Sequence, residues 1–300
     1  MAAVRELRRQ FRVTVVDPKE YFEFTSGIMR AYAQPSHWDS LTFLYHTVLE
    51  RTFGVRFIWG EVLSIDGSQK VARVKSVFAE DADEVPYDYC IVTGGCNFNQ
   101  NLPTGESPWF PLVHQRNRAE SEIQHLDERY LEGRRRRILE EHYSLQLLNQ
   151  QQANVLVVGA GFMGVEWACE LQHFFPSLRI TLSDFLPRCL GPLPEAAAIY
   201  CEEYMQRVGI KTRYGLKYDP DFQTFWAKVG LPNGADKTYL LTGVKNSNYF
   251  MPKGTLSERG PGGGGWILTN RHLQVVTRSN QEWGDGVVFA AGGGGGRVGG

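Results

Sequence analysis

The residues with the clearest chemical capacity lie in NVLVVGAGFMGVEWACEL, positions 154 to 171. Gly159-Ala160-Gly161-Phe162-Met163-Gly164 fits G-x-G-x-x-G between an apolar strand-like run and a helix-like run. Each glycine has a physical task. Gly159 permits a tight turn, Gly161 lets backbone approach a pyrophosphate, and Gly164 lets helix and strand pack closely. The helix N-terminus adds N–H groups and the positive end of its dipole. Asp184 closes a second apolar run, LRITLSD, 20 residues past Gly164. A carboxylate there accepts hydrogen bonds from a ribose diol and repels a 2′-phosphate. The set predicts NAD(H) binding; its alternative is a glycine turn kept for packing alone. Glu166, two residues past the last glycine, reads in two ways. It is either a first-turn carboxylate stabilised by the helix dipole or an acid beside the nicotinamide or a second cofactor.

Other reactive side chains are scattered. Cysteines stand at 90, 96, 169, 189 and 201, with neither CxxC nor metal-ligand spacing. Such a set reads as reduced and mostly buried thiols in an intracellular or organellar compartment. The run Arg134–Arg137 reads as a solvated helix face, with acidic lipid headgroups or an acidic partner as the alternative. A net charge of −1 over 300 residues gives no electrostatic reason for a nucleic-acid partner. No apolar run approaches the roughly 18–20 residues that cross a bilayer.

The elements that must position these groups follow from periodicity. FRVTVVD (11–17) is strand-like and ends in an acid. RFIWGEVLSID (56–66) and KVARVKSVFAED (70–81) alternate like an antiparallel hairpin. YDYCIVTGG (87–95) is a strand ending in a glycine turn, as are KTYLLTG (237–243) and GVVFAAGG (286–293). Residues 120–150 have helical period, and PEAAAIYCEEYMQRVG (194–209) reads as a helix stopped at glycine. The tracts Gly262–Gly265 and Gly292–Gly296 read as loop or flexible tail, having no side chains to pack. Strand-then-acid recurs at VTVVD and ITLSD, and strand-then-glycine at IVTGG, LLTGV and FAAGG. Two similar nucleotide-binding halves would produce that echo.

VTVVDPKEYFEFTSGIMRAY, YDYCIVTGG, VLVVGAGFMGVEWACEL, the TG of LLTGVK and VVFAAG, in this order, resemble the two-dinucleotide-domain flavoprotein oxidoreductases. The likeness is to type II NADH dehydrogenases and apoptosis-inducing-factor-like oxidoreductases, and it runs from about residue 4 to 292. It implies an α/β fold of two Rossmann-like three-layer (ββα) domains. A FAD domain, residues 1–115 and 256–300, would be interrupted by an inserted NADH domain, residues 116–255. By that likeness Gly159, Gly161, Gly164 and Asp184 hold NADH, and Gly243 passes its nicotinamide side. Glu166 matches the acid at the nicotinamide–flavin contact and is the candidate catalytic residue. Asp17 matches the acid on the FAD ribose, Thr93-Gly94 the turn at the flavin's adenosine side, and Thr25 part of the F-T-P-like stretch beside the flavin. Ser26 replaces the proline of that stretch.

Hydride would then pass from NADH through FAD to a quinone or similar small acceptor. The absence of CxxC argues against the disulfide-reductase branch. The likeness also implies peripheral association with a membrane or membrane complex, on an organellar surface such as that of a mitochondrion or plastid. Three features depart from the pattern. No G-x-G-x-x-G stands ahead of Asp17, where AAVRELRRQF reads as a nucleotide-fold helix bearing Arg5, Arg8 and Arg9. Gly293 takes the place of the aspartate after FAAG, and GGGGGRVGG stands where the family continues into a flavin-covering, membrane-lying segment. Loss of a backbone cradle and of a charged hydrogen bond weakens FAD binding, at about 1.5–3 kcal/mol per charge-assisted contact. The alternatives are therefore an eroded oxidoreductase fold serving as an accessory subunit, with Trp38, Phe43 and Tyr45 as docking residues rather than core, and an NADH sensor without turnover.

Overall fold

The computed structural model describes residues 1–98, 127–260, 263–292 and 295–297. The proposed boundary at 115/116, the predicted helical residues 120–126, Gly262 and Gly293 lie outside them.

Helix α1 (Ala2–Leu7) leads into β1 (Thr14–Asp17), whose β-branched residues suit a strand. The chain continues through β2 (Tyr21–Glu23), helix α2 (Ile28–Ala33), helix α3 (Trp38–Leu41) and β3 (Thr42–Leu44). Strand β1 pairs in parallel with β4 (Arg56–Asp66), Val15 opposite Phe57. The predicted hairpin forms: β4 runs antiparallel to β5 (Val71–Ser76), which pairs with β6 (Asp83–Pro86). Its turn is an Asx turn, Asp66 Oδ1 accepting the N–H groups of Ser68 and Gln69 at 2.8 and 2.9 Å. Strands β7 (Cys90–Val92) and β8 (Cys96–Phe98) follow.

After the undescribed residues comes α4 (Leu131–Gln150), shorter than the helix predicted over 120–150. Residues 127–130 form a turn instead, because the Asp127 carboxylate accepts the N–H of Arg129 at 3.0 Å and its guanidinium at 2.6–3.0 Å. The second unit is strand β9 (Asn154–Val158), helix α5 (Phe162–Phe174), β10 (Arg179–Ser183), helix α6 (Glu195–Arg207), β11 (Lys211–Arg213), helix α7 (Gln223–Val229) and β12 (Lys237–Leu240). Its sheet is parallel, in the order β11-β10-β9-β12. Val155, Val157, Ile180 and Leu182 pack with Trp167, Ala168 and Leu171 of α5 and Met205 of α6. On the other face Leu156, Val158 and Leu240 meet Phe225 and Val229 of α7. These are three layers, as the two-sided burial of a parallel sheet demands.

The insertion is visible in strand pairing. Strand β13 (Val244–Asn246) runs antiparallel to β8, so the outgoing and returning crossings lie side by side. Beyond β14 (Ile267–Thr269), strand β15 (Val288–Ala290) pairs in parallel with β7, although the whole second sheet lies between them in sequence. Phe11 meets Tyr89 edge-on at 5.8 Å, which sets β7 alongside the approach to β1. The tract read as loop or tail is partly a strand, β16 (Gly295–Arg297), parallel to β14. Ladder pairing uses only backbone groups, so glycine does not forbid it.

One surface reading needs correction, and one alternative falls away. Arg134 is fully buried, not part of a solvated face; Arg135 and Arg136 alone keep that role. Helical period turns Arg134 inward with Ile138, Glu141 and Leu145. Its guanidinium donates to Glu23 at 2.9 and 3.1 Å and to Glu128 at 2.9 Å, and sits 5.7 Å from the Tyr32 ring centre. Burial opposes its charge, but Glu23, Tyr32 and Glu128 outweigh that and hold it protonated. Trp38 and Tyr45 are also buried, so they belong to the core and offer no docking face. The cysteines are all free, but only Cys189 is fully buried and the rest are partly so.

Replacing Arg134 with Met leaves two buried carboxylates without their cation. Chemical denaturation of that variant is expected to show a loss of about 3–5 kcal/mol, with the E23Q/E128Q/R134M triple variant recovering most of it.

Candidate dinucleotide site

The glycine turn is shaped by backbone meeting backbone. Gly159 has φ of +106°, and a Cβ there would lie 2.6 Å from the Leu241 carbonyl oxygen. A Cβ on Gly164 would lie 1.7 Å from the Gly159 carbonyl oxygen, so the first turn of α5 rests directly on the strand end. Gly161 differs. It caps α5 in extended conformation, φ −73° and ψ −169°, and a Cβ there would meet nothing within 4 Å. That open space before a helix N-terminus is a cradle into which a pyrophosphate fits.

Asp184, at the end of β10, is 7% exposed and holds the turn from below. Its Oδ2 accepts the Ala160 N–H at 2.5 Å and its Oδ1 accepts the Leu186 N–H at 2.8 Å. Each carboxylate oxygen keeps a further lone pair for a ribose hydroxyl. The Ala160 carbonyl in turn accepts the Leu190 N–H at 2.8 Å, so the middle of the turn is fixed from both sides. Arg188, the nearest basic residue in sequence, is committed elsewhere. Its guanidinium donates to the carbonyls of Cys189, Leu190, Gly191 and Leu193 at 2.8–3.4 Å, which closes the loop and leaves its fork turned away from phosphate duty.

Glu166 lies in the second turn of α5 and is exposed, yet its surroundings desolvate it. Desolvation first and the Glu170 carboxylate second push its carboxyl above the usual range, with Arg30 opposing. Arg30, on α2, grips Glu170 with two bonds of 2.6 and 2.7 Å. This pair escapes a reading of the sequence; its one trace is that V-E-W-A-C-E carries acids at i and i+4 with no Lys or Arg on the same helix. Gly243, φ +71°, follows the Leu241 carbonyl that abuts Gly159, so the two glycine turns adjoin.

The first unit's residues stand at strand ends too, where open α/β sheets place their ligands. Asp17 ends β1, and its carboxylate accepts the Lys19 N–H at 2.8 Å, the Lys19 ammonium at 3.1 Å and the Tyr45 hydroxyl at 3.1 Å. Thr25 begins an exposed single turn of 3₁₀ helix, Thr25–Gly27, between β2 and α2. Thr93-Gly94 follows β7; a Cβ on Gly94 would lie 2.5 Å from the Ser247 carbonyl, so that glycine is demanded by the crossing chain. The described residues of this unit fit the ribose end of FAD through Asp17; among them no glycine turn cradles its pyrophosphate. Among the described residues no His/Cys/Asp/Glu group is arranged to hold a metal.

A family model described as pyridine nucleotide-disulphide oxidoreductase matches residues 1–222. The chain is 24% identical over 226 residues to an oxidoreductase, OXR1, of Ajellomyces capsulatus, covering 74% of this chain and 43% of that one. It is 23% identical over 317 residues to a type II NADH:quinone oxidoreductase of Haemophilus influenzae, covering 95% of this chain and 67% of the relative. The structure of NDH2 from Plasmodium falciparum, in complex with NADH, superposes at a TM-score of 0.64 with 13% identity, over 97% of this chain and 61% of that one. Identity that low shows a shared fold. The chain spans 43% of the first curated relative and 67% of the second.

The two glycines separate folding from binding. Gly164→Ala is expected to destabilise the fold by an amount visible in thermal melts, because its methyl must displace the Gly159 carbonyl. Gly161→Ala is expected to melt like the parent while losing about tenfold or more in NADH affinity, roughly 1.4 kcal/mol or more. Glu166 gives a second test. A carboxyl raised in the fold costs stability as pH rises from the ordinary carboxylate range through its raised midpoint. Glu166→Gln removes that cost, so thermal melts at pH 7 are expected to show no loss of stability.

Proposed function

The chain belongs to the pyridine nucleotide-disulphide oxidoreductase family, and from that premise we propose that it takes NADH on the glycine turn and passes hydride by way of FAD to a small acceptor such as a quinone. Membership implies FAD and NAD(H) as the cofactors. The observation that carries the NADH half is the open cradle at Gly161, set over a buried Asp184 that already fixes the turn. Burial of Asp184 at the end of β10 favours NADH over NADPH, and Arg188, the base nearest to it in sequence, is committed to loop carbonyls.

In this reading residues 1–115 and 256–300 form the FAD unit and 116–255 the NADH unit. Asp17 serves the FAD ribose, Thr25 and Thr93-Gly94 border the flavin, and Gly243 passes the nicotinamide side. Glu166 meets the nicotinamide as the one titratable catalytic residue. Bound FAD supplies the hydride acceptor; the chain orients the two rings and excludes water. The quinone is supported by the name of the Haemophilus influenzae relative. Free cysteines agree with an intracellular location, and no described helix is long and apolar enough to cross a membrane. Association with an organellar membrane surface rests on the family likeness, and nothing in the charge favours nucleic acid.

Titration of the purified chain with NADH and NADPH, with and without added FAD, tests the reading. NADH is expected to bind at least about tenfold more tightly than NADPH, and addition of FAD and a soluble quinone is expected to start NADH oxidation. Binding without turnover would reduce the protein to an NADH sensor; no binding would sink both and leave an accessory subunit.

A further inference from the structure

The clamp between Arg30 and Glu170 has no part in shaping the glycine turn, yet it lies one helical turn from Glu166. Glu166, Glu170 and Phe174 are spaced i, i+4, i+8 and form one ridge of α5. Arg30 lies across that ridge. Its fork grips Glu170 at 2.6 and 2.7 Å, and its guanidinium carbon sits 5.1 Å from the Phe174 ring centre. The Glu170 side chain is only 16% exposed, against 44% for Arg30. A bidentate fork, stacked on a ring and half sheltered, is held far better than a typical surface pair.

The clamp also spans the two units. Arg30 belongs to α2, which begins where the Thr25–Gly27 turn ends, while Glu170 belongs to the NADH-side helix. Tyr32 of α2 meets Trp167 of α5 edge-on at 6.3 Å, so the same two helices are braced at a second point next to Glu166.

We propose that Arg30, clamped on Glu170, is a positioning residue that couples α2 to the nicotinamide end of the NADH site through Glu166. This rests on the NADH reading given above. Carboxylates at i and i+4 repel, and without a cation that repulsion raises the pKa of the pair. The charges that act on Glu166 are Glu170 from its own helix and Arg30 from α2. The Cys169 thiol beside them is pushed up to about 11, chiefly by burial, and stays neutral. Arg30 satisfies Glu170 and lends its remaining field to Glu166, so that Glu166 meets the nicotinamide amide as a carboxylate, the stronger acceptor.

NADH affinity, measured by fluorescence titration between about pH 5 and 9, tests the coupling. Wild-type affinity is expected to fall on the acid side as Glu166 protonates, and Glu166→Gln is expected to lose that dependence. Arg30→Gln is expected to move the midpoint up by about half a pH unit or more. Arg30→Lys should restore most of the shift. The R30Q/E170Q double variant should return the midpoint close to wild type, since the repelling charge leaves with the cation. A purely structural role would instead weaken binding equally at every pH and would not be reversed in the double variant. That pattern, an unmoved midpoint in Arg30→Gln, or a wild type without the acid-side fall would each overturn the clamp. A wild type that binds no NADH at any pH would overturn the NADH reading itself, and the coupling with it.

Discussion

Among the described glycines, Gly164 has the least room: a Cβ there would lie 1.7 Å from the Gly159 carbonyl oxygen. No side chain fits between them, and the first turn of α5 therefore begins at the very end of β9. Everything at the dinucleotide site inherits its position from that contact. It brings the helix N-terminus over the strand end, leaves Gly161 facing open space, and lays the 241–243 segment against the turn. Asp184 and Leu190 then hold the Ala160 peptide by its N–H and its carbonyl, so the cradle is shaped by the protein's own bonds. Preorganisation of this kind lowers the ordering cost of binding.

Ionic contacts do a different task, joining the two units. Arg134 at the start of α4 is anchored to Glu23 of β2 and to Glu128, and Arg30 of α2 is anchored to Glu170 of α5. Buried ion clusters of the first kind add little net stability over a well-packed apolar substitute, because desolvation offsets most of the attraction. What they add is a geometry that fails if any member is missing. The paired crossings β8 and β13 add a link through backbone bonds, and the apolar core that packs Ile28 and Tyr32 with Trp167 and Leu171 adds another.

How far the sequence revealed this depends on the range of the cause. The glycine turn and the β4–β5 hairpin were legible because their reasons are local: a steric limit and an alternation. The three-layer arrangement was expected from the family resemblance alone, and the cover that α5, α6 and α7 give to both faces of the parallel sheet is its physical reason. Arg134 was misread because the carboxylate that buries it lies 111 positions away. The Arg30–Glu170 clamp joins residues 140 apart, and its one local trace is the pair of acids at i and i+4. The helix start was placed too early because Asp127 folds Arg129 back on itself, a contact that helical period alone does not register. Gly94 was read as part of a ligand turn; its glycine is required by the Ser247 carbonyl that crosses it, so the type was legible and its cause was not.

The bond from the Ala160 amide to Asp184 makes this carboxylate a structural strut, besides the ribose-binding role proposed for it. Redesign toward NADPH conventionally removes such an acid and adds a base nearby. Here removal would release the middle of the glycine turn, and Arg188, the base nearest in sequence, is already bound to four carbonyls of the following loop. Cofactor preference in this chain is therefore tied to the architecture of the loop, and a change of preference requires rebuilding residues 184–193 together.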